Sequence, residues 1–130
     1  MSRYILETLW IMKMIKQTLV IIAALSAPAF ADPAVVQNVK ISNSGGTYTF
    51  DVTISHTDMG WDDYADIWRI KDMNGNVLGE RPLAHPHVNE QPFTRSLSGI
   101  RISDDVDTVV IEAHDTVTGW SPNAKTVKLR

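Results

Sequence analysis

The sequence predicts an all-β protein, a single antiparallel sandwich of the immunoglobulin or fibronectin type III kind with seven strands. Three observations predict it. Apolar residues recur at every second position over short runs, as Tyr48, Phe50, Val52 and Ile54 do. Turn-forming clusters of Gly, Asn, Asp and Pro separate those runs at the spacing of a sandwich. Beyond residue 31 no apolar stripe has helical period. A partly open barrel is the nearest competing architecture.

Each element follows from its own residues. Residues 1–31 read as a targeting segment, with Lys13 and Lys16 as its positive region and Thr18–Leu25 as its apolar stretch. Ala29-Phe30-Ala31 has the small-x-small pattern of a cleavage site, and Met12 or Met14 is a candidate true start. The apolar run falls short of the ~20 residues that span a bilayer, so no stable membrane insertion is expected after cleavage. Cleavage after Ala31 leaves one domain, residues 32–130.

Val35–Ser42 is the first strand, with Gln37, Val39 and Ile41 on one face, and Asn43-Ser44-Gly45-Gly46 turns the chain. Thr47–Ser55 alternates cleanly, and His56 continues its buried parity to the rim of the core. Tyr64–Lys71 follows, with Trp68 as the core tryptophan. Asn74-Gly75 signals a hairpin with a type I′ turn, which needs φ > 0 at both central positions, and Asn76–Leu83 returns. Pro86 and Pro92 fix φ and hold Ala84–Gln91 extended. Pro92–Ile100 is the fifth strand, with Phe93, Arg95 and Leu97 sharing a parity. Val106–Ala113 is the sixth, with Val109, Ile111 and Ala113 inward, and Ala124–Arg130 closes the chain.

Composition excludes several functions. Residues 32–130 carry nine Lys/Arg against fourteen Asp/Glu, a net charge of −5. A nucleic-acid groove or attraction to an anionic membrane needs the opposite sign. The chain has no cysteine, so disulfides, thiolate metal sites and thiol catalysis are absent. No nucleophile elbow, phosphate-binding glycine loop or HExxH motif occurs. A His/Glu pair with Glu90 as base leaves a small hydrolase as the weakest of the readings.

Strand parity carries the functional reading. In an up-and-down sandwich the connections after strands two, four and six lie at one end. The first holds His56, the second His85, His87 and Glu90, and the third His114, Asp115 and Trp120, so every histidine falls at one pole. Imidazole with carboxylate oxygens suits zinc or copper(II). His85 and His87 are the expected core ligands, their x-spacing putting both rings on one side of an extended segment. His56 and His114 complete the set, with Glu90 or Asp115 as oxygen ligand or orienting group. His114 shares outward parity with Glu112, so either it turns in after the strand ends or Asp115 takes its place.

Each feature has a structural alternative. The His-Pro-His is also compatible with a solvated loop. Trp61 and Trp120 either pack over the open end of the core or form an exposed platform for a protein or glycan. Arg95, at inward parity, is a candidate binding residue whose structural alternative is to pair with a carboxylate or cap a loop carbonyl. Asp58, Asp62 and Asp63 lack the spacing of a calcium loop and read as an acidic solvated loop.

The segments Gly60–Trp68 and His85–Arg95 resemble a family of small secreted proteobacterial proteins of uncharacterised function. The resemblance implies export and the β-sandwich, and no catalytic role. The expectation is thus a periplasmic or secreted domain that binds copper(II) or zinc(II) at its histidine pole. The alternative is a metal-free recognition module that binds a periplasmic protein or a glycan with the same loops.

Overall fold

A computed structural model describes residues 32–130, so the targeting segment expected over residues 1–31 lies outside the described residues. Ala31–Arg130 forms a compact unit of its own. It is all-β, with two antiparallel sheets and no helix among the described residues. The strands are β1 (Val35–Ser44), β2 (Thr47–Ser55), β3 (Ala65–Asp72), β4 (Val77–Pro82), β5 (Phe93–Arg101), β6 (Thr108–Asp115), β7 (Gly119–Trp120) and β8 (Lys125–Lys128). One sheet has the order β1-β2-β5. The other runs β4-β3-β6-β7, with β8 also pairing β6.

The strand count is eight rather than the expected seven, because Gly119–Trp120, between the expected sixth and closing strands, forms a short strand of its own. Gly119–Trp120 pairs with His114–Asp115, and Lys125–Lys128 pairs with Thr108–Ile111. Pro122 lies between them and has no N–H to continue the ladder.

The core is where the alternation puts it. Phe50, Val52, Ile54 and Phe93 of the first sheet pack with Trp68, Ile70, Val109, Ile111 and Ala113 of the second. Two local expectations are corrected. In β1 the inward residues are Val36, Val39 and Ile41, while Gln37 is exposed. A bulge between Val36 and Asn38 adds one residue and switches the parity there. The β3–β4 hairpin forms at Asn74-Gly75, but only Gly75 has positive φ, so the turn is not type I′. The Gly75 amide bonds to the Asp72 carbonyl, and the Asp72 carboxylate accepts the amides of Asn74 and Asn76 and the Asn76 side chain. Those bonds, led by the Asn76 side chain, hold the Asp72 carboxyl below its ordinary pKa.

The ladders then place one end of the molecule. Ile54 opposes Phe93 in the first sheet, and Ala65 opposes Asp115 in the second. The β2–β3, β4–β5 and β6–β7 connections therefore emerge together.

Candidate metal centre at one pole

His56 is the first residue past β2, on the parity that points into the core, and is only 3% exposed. Its Nδ1 lies 2.6 Å from Asp58 Oδ1. The same oxygen accepts the Ala65 amide at 2.9 Å, and Asp58 Oδ2 accepts the His87 amide at 2.7 Å. The His56 amide donates to Gln91 Oε1, and Gln91 Nε2 donates to the His87 carbonyl. His56, Asp58, His87 and Gln91 thus close a ring of hydrogen bonds that ties the β4–β5 loop to the end of β2. Asp58 is a buried carboxylate that the fold fully engages, as a buried charge requires.

When the ring is neutral and Nδ1–H is donated to Asp58, the lone pair of His56 lies on Nε2, the form that a metal ion binds. That nitrogen faces two carboxylates, Asp63 Oδ1 at 3.7 Å and Asp115 Oδ2 at 3.9 Å, both beyond hydrogen-bond reach. One ligand atom from each of His56, Asp63 and Asp115 lies within 4.8 Å of the others. Donors at zinc bond lengths in a tetrahedron are roughly 3.4 Å apart, so a small contraction would place all three on one ion.

Asp115 is fully buried at the end of β6. It accepts the amides of Val117 and Thr118 and the Thr118 hydroxyl. Burial pushes its carboxyl pKa up, but these bonds and the nearby His56 outweigh burial, leaving it below the ordinary value and ionised. Asp63 closes a tight loop in which the Met59 amide bonds to the Asp63 carbonyl and the Asp63 amide to the Gly60 carbonyl. The Thr116 hydroxyl straps this loop by donating to the Asp62 carbonyl.

The other candidate residues form two further groups. His87 is buried and stacked on Phe93, with ring centroids 3.9 Å apart. Its Nε2 accepts from Arg95 Nη2 at 2.9 Å, and its Nδ1 is buried without a partner, 4.0 Å from Asp58 Oδ2. Burial lowers the His87 pKa, and the charges of Arg95 and His85 add to it while Glu90 and Asp58 oppose, so the ring is neutral. Arg95 also bonds the Thr94 carbonyl and meets Glu90 at 3.4 Å. His85 is exposed, its ring centroid 4.6 Å from that of His87 and its Nδ1 3.0 Å from the Pro86 carbonyl oxygen.

His114 stays on the outward face, with Nδ1 2.5 Å from Asp66 Oδ1 and its ring edge against Trp120. The Arg69 guanidinium covers the Trp120 ring at 3.6 Å. Trp61 is exposed at its loop tip, in edge contact with Tyr64. The structure therefore brings His56 and Asp115 together and adds Asp63. It sets His85, His87, Glu90 and Arg95 beside that cluster, joined to it through Asp58, and leaves His114 and Trp120 on the sheet face. Asp58 and Asp63 are functional candidates that the sequence showed only as part of an acidic loop.

Fold and pole together define a small all-β sandwich domain with a buried His/Asp cluster at one end. No family model matches the chain. It is similar to a protein named "Putative lipoprotein" from the archaeon Halomicrobium mukohataei, at 38% identity over 93 residues. The match covers 71% of this chain and 45% of that protein, so the chain spans less than half of that relative's length. The relative is archaeal, and a likeness to proteobacterial proteins alone is too narrow. Among solved structures, a hypothetical protein from Pyrococcus horikoshii OT3 shares the fold, with a TM-score of 0.51 at 8% identity, covering 80% of this chain and 94% of that one.

Proposed function

We propose that this domain binds a divalent transition metal, zinc(II) or copper(II), through His56 Nε2 and the carboxylates of Asp63 and Asp115, in a protein exported to the cell envelope. One observation carries the reading. A buried imidazole, fixed through Nδ1 by Asp58, turns an unpartnered nitrogen toward two carboxylate oxygens from different loops. A carboxylate behind a metal-binding histidine fixes its tautomer and raises its basicity. One nitrogen and two oxygens suit zinc(II) or copper(II) better than calcium or magnesium, which take oxygen donors. Three protein ligands fall short of a closed structural zinc site, so exchangeable binding, as in metal carriage or sensing, is the role the set suits.

Export is supported by the pattern of residues 13–31 and by the name of the archaeal relative. Cleavage after Ala31 and release to the periplasm or the exterior are part of this proposal, as is membership in a family of small secreted proteins. The strand orders β1-β2-β5 and β4-β3-β6, with β7 and β8 along β6, support a sandwich of the immunoglobulin and fibronectin type III kind.

The test is titration of the metal-stripped full chain with zinc by calorimetry and with copper(II) by tryptophan quenching. One saturable site per chain is expected, abolished in His56→Ala, weakened in Asp63→Asn and Asp115→Asn, and retained in a His85→Ala/His87→Ala double variant. No saturable response, or one indifferent to His56→Ala, would sink the proposal. Loss in the double variant alone would move the ion to the wider histidine set.

A further inference from the structure

We infer that the same pole is a docking surface for a protein partner whose contact face is apolar and rimmed by Lys or Arg. This goes beyond the metal reading and stands on other side chains. The described residues leave seven large apolar side chains exposed. Met73 and Val77 flank the β3–β4 turn at the opposite end, and Trp120 lies on the sheet face. The remaining four, Met59, Trp61, Val88 and Val117, all sit on the three loops of the candidate metal pole. Trp61 is 67% exposed and Met59 72%, far from the usual burial of such residues.

Hydrogen bonds tie the three loops that carry the four to one another. The Thr116 hydroxyl donates to the Asp62 carbonyl, joining the loop that carries Val117 to the loop that carries Trp61. The His87 amide donates to the Asp58 carboxylate, joining the loop that carries Val88 to the loop that carries Met59. The loops that carry them are pinned by the bonds of Asp58, Gln91, Thr116 and Asp115, so little backbone freedom remains to be lost on binding. Grouped apolar tips on a fixed scaffold, with an exposed tryptophan, are the make-up of a recognition surface.

Charge selects the occupant. Residues 56–64, 83–92 and 116–118 contain no Lys or Arg, but hold Asp62, Asp63 and Glu90 outside the core, with Asp58 and the bordering Asp115 buried. Arg95, just outside them, is taken up by Glu90 and His87. Asp62, beside Trp61, is exposed and makes no ion pair among the described residues. An anionic membrane surface is repelled by such a rim. A protein face with Lys or Arg around apolar side chains is attracted, with an encounter rate that falls as salt rises.

The test uses two amphipathic peptides of equal length, one of Leu and Lys and one of Leu and Glu, titrated calorimetrically against the full chain. Excess chelator keeps the outcome independent of metal binding. The Lys peptide is expected to bind saturably, to weaken at least tenfold in Trp61→Ser and in Val117→Ser, and to weaken with added NaCl. It is expected to bind Met73→Ser, altered at the opposite end, as it binds the parent chain. Equal binding of both peptides, or an equal loss in Met73→Ser, overturns the inference. So does Trp61-dependent capture by phosphatidylcholine vesicles without peptide binding, which would make a membrane the occupant.

Discussion

Asp58 organises the pole residue by residue. A carboxylate buried this deeply is stable only if every lone pair has work, and its partners are the His56 ring, the Ala65 amide and the His87 amide. Asp58→Asn keeps the size but removes the charge that holds the His56 N–H. Metal affinity should then fall by about 10–100-fold, the usual cost of losing the carboxylate behind a metal-binding histidine. Calorimetric titration measures the loss, and imidazole ¹⁵N shifts report whether His56 still carries its proton on Nδ1. Unchanged affinity with an altered tautomer would show that Asp58 is a structural residue alone. Parity turns His56 inward, as its burial shows, and sets His114 outward with Asp115 on the inward side. It was silent on Asp58 and Asp63, because loop residues have no alternation to read and their placement depends on a five-residue turn closed by Met59 and Asp63. The same silence hid the Arg95 bond that occupies His87 Nε2.

At the scale of elements, alternation determined the faces of β2 and β6 almost completely, since a buried strand with period two leaves one parity open. It failed where the backbone adds or drops a ladder position. The β1 bulge moves Val36 to the core and Gln37 to solvent without any change in local composition. Gly119–Trp120 reads as loop because two residues carry no alternation, and its pairing depends on the end of β6 lying beside it. In the β3–β4 hairpin the Asn-Gly pair signalled the turn correctly, while the Asp72 carboxylate drew it into a different geometry. Only Gly75 there needs the left-handed region, at φ 87°. A side chain at that φ costs about 1–2 kcal/mol whatever the space around it. Gly75→Ala should therefore lower the unfolding free energy by that much, seen as a lower urea midpoint at unchanged m-value, while leaving metal titration at the far pole intact. A loss of both would mean that the two ends are coupled.

On the scale of the whole molecule, the candidate ligands come from both sheets. His56 follows β2 of the first sheet, Asp115 ends β6 of the second, and Asp63 lies on the connection between them. An ion there would staple the sandwich at one end, in a chain that has no disulfide to do so. The sheets separate when the core opens, so the three ligands are not held together in the unfolded chain and bind the ion only in the fold. Linkage then sets the size of the effect: free metal at 100 times Kd adds about 2.7 kcal/mol to the unfolding free energy. For a domain of this size each kcal/mol moves Tm by roughly 4–8 °C, so the shift should exceed 10 °C. Scanning calorimetry of the parent chain with zinc or with chelator measures it, and His56→Ala should show the same Tm in both. A parent chain whose Tm ignores zinc at saturating occupancy would place the ion on one loop alone, and the cross-sheet ligand set would be wrong.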